Sequence, residues 1–529
     1  MKSILDRTAT VTRAVALAAS LLVPSLATAA DLRVGVEGAP TAMDPHWHNF
    51  GPNKSLHAHV FETLIRRDAD MKLEPALALS WSAVDPLTWE FRLRPGVRFH
   101  DGSTLTAEDV AWTINRAATL QSGAATYALY LRQIKATEVV DPLTVRFRTE
   151  QPFPLMPAYL STIFVMSKAN GEKFTADDMN QGRGVIGTGP YRFVSWVRGT
   201  SADLALFPDY WGPKPEWDKV SVRSIPTPGT RLAALLAGDV DIIDAVPSQD
   251  IARLRGDPKL ALYTKPSTTI LTMFPDHRPR PSPKVLDNAG KPMTVNPIAD
   301  VRVRRALSMA INRQLLAERV LDGLGTPTGQ FLLPGAFAHL PDVAVPAFDP
   351  QAARRLLAEA GYPEGFQLTI NCQNNRFIND EQICQALGQA FARIGIRTQV
   401  EALPHTVMIA AAGRGELSLF MHGFTIETAE PSSYLQASLA TANPARGRGA
   451  VNRGAYTNPR LDAALDAAVA EIDDAKREAA LREATRVALD EVALIPLYHQ
   501  LNSWATRAGI AYVPRSDEST LALFVRSAR

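Results

Sequence analysis

Catalytic signatures are what this 529-residue chain lacks. It has no Gly-x-Ser-x-Gly nucleophile turn, no His-Glu-x-x-His zinc helix and no glycine-rich phosphate loop, so the common hydrolase and nucleotide-binding chemistries have no foothold. Cysteine is scarce: only Cys372 and Cys384 occur, at a spacing that fits no metal motif. Beyond the N-terminus no apolar run is long enough to span a bilayer. A surplus of one charge is also missing, since the formal net charge is only +2. Lys2, Arg7 and Arg13, against a single Asp6, account for that excess, and without the first thirty residues it falls to zero. A nucleic-acid role therefore has no electrostatic footprint.

The N-terminus reads as a secretion signal. Its three cations precede a short apolar stretch, residues 14–23, and Ala27-Thr28-Ala29 supplies a small-residue cleavage site, with Ala30 the other choice of last residue. No cysteine stands directly after that site, which argues against a lipid anchor and for a soluble chain in the periplasm. An oxidising compartment permits a disulfide. Cys372 alternates with Leu368 and Ile370 as on a strand, and Cys384 shares a helical face with Leu387 and Phe391. Both point to a core, as a bridge or as two buried thiols.

Strand and helix patterns alternate along the rest. Residues 31–36 read as a first strand, and Leu56, Val60, Phe61 and Leu64 as a helix. Thr88-Trp89-Glu90-Phe91-Arg92-Leu93 alternates as a half-buried strand should. Asp85-Pro86-Leu87-Thr88 recurs as Asp141-Pro142-Leu143-Thr144, one hairpin turn used twice. In residues 99–110, Asp101-Gly102 makes a turn and Thr106 caps a helix with Asp109 three residues on, a capping-box spacing. Gly187-Thr188-Gly189-Pro190 is a rigid turn entering a strand. Residues 228–244 read as a helix, a Gly238 stop and a strand, and residues 275–295 as a surface loop. Further on, Asp349-Pro350 and Asn458-Pro459 start helices, and residues 366–401 form a strand-helix-strand unit.

Residues 99–110 and 187–193, Asp209-Tyr210-Trp211-Gly212, residues 235–243 and 301–313, Ile394-Gly395-Ile396, and Ile495-Pro496-Leu497-Tyr498 stand in an order that resembles the extracytoplasmic solute-binding proteins of peptide/nickel ABC importers. The resemblance implies an α/β chain of the two-lobed, type II periplasmic-binding-protein fold, with mixed sheets flanked by helices. Lobe one would comprise residues 31–268 and 497–529, with a hairpin-rich subdomain near 66–186, and lobe two residues 269–496. Two segments crossing near residues 268 and 496 would serve as a hinge. It also implies a monomeric receptor rather than an enzyme, without a cofactor, partnered by a permease and its ATPases. Closure on a ligand that touches both lobes would be the signal the permease reads.

A peptide enclosed in such a cleft presents an ammonium, a carboxylate and amides, each needing a partner. Where peptide-binding relatives carry Gly-Trp-x-x-Asp for the ammonium, this chain has Gly423-Phe424-Thr425-Ile426-Glu427, followed by Glu430. Phe424, Glu427 and Glu430 are thus candidate ligand residues; solvated loop acids are the alternative for the two glutamates. By the same resemblance Glu37 ends the first strand at the family's ligand-facing position, with a turn acid as the alternative. Tyr127 and Tyr130 match a segment from which relatives send a tyrosine into the cleft, with core or surface packing as the alternative. Tyr498, His499 and Gln500 lie at the second crossing, where at least one should face ligand and a structural role at the hinge is the alternative. His46, His48, His57 and His59 form two His-x-His pairs, better read as polar loop and helix-surface residues than as a metal site. Short peptides or similar amino-bearing solutes are the expected cargo. A nickel chelate, an opine or a sugar would suit the same fold, and an extracytoplasmic hydrolase is the remaining alternative.

Overall fold

The first strand forms over Asp31–Val36 and becomes the parallel neighbour of two others, Lys219–Ser224 and Ile242–Asp244. Its apolar residues Leu32 and Val34 are buried, as their spacing requires of a strand packed into a core. The computed structural model describes residues 31–120 and 126–528, so the signal segment read at residues 1–30 lies outside the described residues. From Lys219–Ser224 the sheet continues antiparallel through Ser201–Leu206 to an edge at Tyr191–Val197.

Two long strands carry this sheet into a second lobe. Leu260–Pro275 and Ile495–Arg507 pair antiparallel along most of their length. At one end Ile495–Arg507 pairs with Ile242–Asp244, and at the other Leu260–Pro275 pairs with Leu419–Thr425. The ladder is interrupted where Pro266 pairs with Leu501 and Ile270 with His499, leaving residues 267–269 opposite the single Gln500. Bulges of this kind bend a strand and re-aim its side chains. Beyond the bulge lies the strand-helix-strand unit Gln367–Gln373, Asp380–Ala392 and Arg397–Leu403, whose strands are parallel. The chain is thus a mixed α/β, two-lobed protein with helices flanking the sheet.

A separate four-stranded antiparallel sheet is inserted in lobe one, in the order Ala78–Asp85, Thr88–Leu93, Thr144–Thr149, Ile134–Asp141. The repeated Asp-Pro-Leu-Thr turn makes both of its hairpins, and the same contact recurs. Asp85 accepts the Leu87 N–H and Asp141 the Leu143 N–H, each at 2.8 Å. Thr106 precedes the helix Ala107–Thr119, and its N–H donates to Asp109 at 2.9 Å as the capping-box spacing requires.

The Cys372–Cys384 pair is a disulfide. It joins Gln367–Gln373 to Asp380–Ala392, with both cysteines fully buried. Among the described residues no helix is long and apolar enough to cross a membrane.

Candidate functional site

Between the lobes lies a cleft cavity of about 800 Å³. Glu37, Ser55 and Asp244 line it from lobe one, Asn375, Arg376, Phe377 and Asn379 from lobe two, and Gln500 to Trp504 form its floor. A second cavity of about 350 Å³ adjoins it around Asn49, Lys54, Arg66, Thr425 and Glu427. Glu518 lines both.

Glu518 sits on a strap, residues 515–520, tied down at nearly every residue. The buried Arg515 guanidinium forks onto Asp517 at 3.0 and 2.7 Å and donates to the Arg67 and Asp68 carbonyls. Asn502 Nδ2 donates to the Arg515 carbonyl, Tyr512 to the Ser519 carbonyl, and Trp504 to Thr520. Under this restraint Glu518 adopts φ 65°, a left-handed conformation unfavourable for a residue with a Cβ. Its side chain is exposed to the cleft, where Thr269 approaches at 3.5 Å. Surrounding protein and the neighbouring Asp517 raise its pKa, while the Arg376 and Lys54 charges pull it back. Asp517, by contrast, is held low: burial works against its charge, and Arg515 outweighs that.

The opposing cation is Arg376. It is exposed to the cleft, and its guanidinium makes no ion pair or hydrogen bond among the described residues. Its loop is fixed by the Asp380 carboxylate, which accepts the Arg376 and Phe377 N–H groups at 3.0 and 3.1 Å. Asn379, at φ 51°, adds a bond from Nδ2 to the Val320 carbonyl at 2.7 Å.

Glu427 reaches across to lobe one. Tyr130 donates to it at 2.7 Å, Asn49 Nδ2 lies at 3.5 Å, and Lys54 Nζ stands 3.7 Å away. Burial would raise its pKa, but the Lys54 charge and these bonds prevail and lower it. Glu37 also faces the cleft, with a mostly exposed carboxylate 3.8 Å from Arg231, while its N–H donates to Asp244. Gln500 lines the large cavity, its Oε1 unpartnered among the described residues.

Other residues singled out from the sequence lie elsewhere. Tyr127 is 1% exposed in the core of the inserted subdomain, and the neighbouring Tyr130 supplies the hydroxyl at the lobe boundary instead. Glu430 is neither a ligand residue facing the cleft nor a solvated acid: it is buried, ion-paired with Arg477 and bonded by Ser432. Phe424 packs on Tyr434, with ring centroids 4.9 Å apart. Tyr498 is buried in the lobe-two core, and His499 lines a different cavity. The alternation of side chains along one strand separates His499 from Gln500.

The clustered histidines correct the surface reading. His46, His57 and His59 are buried, and each ring bonds at least one backbone group. His46 bonds the Phe164 carbonyl, His57 the Ala42 carbonyl, and His59 both the Ser55 carbonyl and the Ala522 N–H. Burial pushes all three pKa values down to about 4, so they are neutral staples.

Sequence reasoning missed Lys54, Asn49, Arg376 and Glu518. Each lies in a polar stretch whose only distinction is where the fold delivers it.

The model of "Bacterial extracellular solute-binding proteins, family 5 Middle" matches residues 72–445. The glutathione-binding protein GsiB of Pectobacterium atrosepticum is 30% identical over 86% of each chain. The structure of HbpA2 from Haemophilus parasuis superposes with a TM-score of 0.80 at 23% identity, covering 94% of this chain and 100% of that one. DppA from Helicobacter pylori, an ABC transporter-associated periplasmic binding protein in complex with the peptide STSA, gives 0.70 at 23% identity over 94% and 98%. A family match spanning most of the chain, joined to a cleft walled by both lobes, decides the assignment. The chain belongs to the bacterial extracellular solute-binding proteins of family 5, the substrate-binding receptors of ABC importers, and is not an enzyme.

Proposed function

We propose that this receptor captures short peptides with free termini, tripeptides of the glutathione type among them. The observation that carries the reading is a pair of opposite charges in the cleft that make no ion pair among the described residues: Glu518 on the strap and Arg376 on the lobe-two loop. A zwitterion answers both, its ammonium toward Glu518 and the nearby Glu427, its carboxylate toward Arg376. An unpaired charge buried by closure is costly, so a ligand lacking either terminus leaves one protein charge without a partner. Glu37 and Gln500 border the same cleft and are read as ligand-facing polar groups. The 30% identity to a glutathione-binding protein supports this cargo class.

The lobes are taken as residues 31–268 with 497–529 and residues 269–496, and the bulge at residues 267–269 supports a hinge there. The chain is further proposed to be secreted into the periplasm by its N-terminal signal, to act as a monomer, and to bind no nucleic acid.

A thermal-shift panel of di- to tetrapeptides, glutathione and single amino acids tests the reading. A ligand at about 100 times its Kd stabilises the folded state by about 2.7 kcal/mol, a readable rise in melting temperature. If no peptide raises the melting temperature while a nickel–histidine chelate, an opine or a sugar does, the cargo is wrong and the receptor role stands.

A further inference from the structure

The bulged crossing leaves polar side chains unpartnered on both faces. Gln500 looks into the large cleft, whereas His499 lines a third cavity of about 380 Å³, which adjoins the Lys54–Glu427 cavity through Met71, Thr268 and Ser516. The backbone of His499 is held in ladders with Ile270 and Thr326. Its ring is a different matter. His499 is 2% exposed, yet neither ring nitrogen has a hydrogen-bond partner among the described residues, the Ser267 backbone lying near but outside bonding geometry. Buried polar groups in native proteins are almost always bonded, and an unpartnered ring that lines a cavity is placed to bond whatever fills it.

The walls say what that is. Phe331, Leu332, Leu333 and Ile426 from lobe two face Met71 and Pro266 across the cavity. At its border Lys265 is already paired with Asp70. Burial lowers the His499 pKa to about 4, so the ring is neutral and offers one donor and one acceptor. A peptide amide presents the complementary pair. The volume falls within the range of small-molecule sites, and an apolar side chain is the group such walls favour over a charged one.

We infer that this cavity is a second subsite, which receives an apolar side chain of a bound peptide and hydrogen-bonds the adjoining amide through His499. The inference rests on the peptide reading above and deepens it: peptides carrying a bulky apolar residue at the end that reaches this cavity are the preferred cargo. Because both lobes wall the cavity, filling it also favours the closed state.

The test is calorimetric titration of a reference tripeptide and of tetrapeptides that extend it at either end by Leu, Gly or Glu. The extension by Leu at one end should bind roughly tenfold or more tighter than Gly at the same end, as expected for burying an aliphatic side chain, and Glu should gain nothing. Ala336→Phe, which fills the cavity, should reduce the Leu-to-Gly ratio to near one. His499→Phe should weaken the Leu-extended peptide, with His499→Gln restoring part of the loss. The tripeptide titrated into each variant, with a thermal melt, reports whether its cleft and fold survive. A wild-type ratio near one, or a ratio that persists in Ala336→Phe, overturns the subsite. Failure of the tripeptide itself to bind wild-type protein overturns instead the cargo reading on which the subsite rests.

Discussion

The disulfide between Cys372 and Cys384 brackets the loop that delivers Arg376 to the cleft, which makes its removal an informative perturbation. The two cysteines are 12 residues apart, and closing a loop of that length removes unfolded-chain entropy equivalent to about 3 kcal/mol. Both are fully buried, so replacing both by Ala also removes one core atom at each site and adds a packing loss to that figure. The loop keeps its bonds to Asp380 and Val320 in the variant, and it should stay folded while becoming easier to open. Urea unfolding of wild type and the double variant, followed by circular dichroism, should therefore show a lower midpoint for the variant. Titration with glutathione should show weakened binding as well, because Arg376 is less well placed. An unchanged urea midpoint would refute the loop-entropy reasoning. A lowered midpoint with unchanged affinity would refute the link between the bridge and the cleft.

Three further outcomes follow from the same geometry. Arg376→Ala should weaken glutathione binding roughly 30-fold, about 2 kcal/mol, in a calorimetric titration, and equal affinity would remove Arg376 from the carboxylate role. Gly187→Ala would place a Cβ 2.0 Å from the Val60 carbonyl oxygen and 2.8 Å from the Phe61 ring, so calorimetry should show a destabilisation of about 3 kcal/mol. Burial raises the Asp244 pKa to about 7, so this group supports the fold at acid pH and loses that contribution as pH climbs through 7. Asp244→Asn retains an acceptor for the Glu37 N–H; its melting temperature should gain on that of wild type between pH 5 and 8, and a constant difference would contradict the raised pKa.

Local chemistry explains what was legible before the fold was known. Alternation marked the strand Thr88–Leu93, the Asp-Pro-Leu-Thr phrase marked two hairpins, and the Thr106–Asp109 spacing marked a helix start, because each is decided within a few residues. The site is different. Glu518 is delivered to the cleft because its strap is tied locally by Asn502, Trp504 and Tyr512 and, through Arg515, to the Arg67 and Asp68 carbonyls near the other end of the chain. No short pattern encodes that convergence. Glu430 shows the converse. Its position suggested a ligand or solvated acid, but a partner 47 residues away, Arg477, takes it into the interior. Likewise Tyr127 and Tyr130 are alike in sequence, and only the packing of the subdomain decides which hydroxyl reaches Glu427.

The central claim, that the cleft between the lobes holds a short peptide by both of its termini, is tested most directly by titrating glutathione and a set of tripeptides into the purified receptor. The account predicts one saturable site per chain for at least one of them, lost when that ligand's amine is acetylated or its carboxylate amidated. No heat from any peptide, or binding indifferent to both modifications, would contradict it.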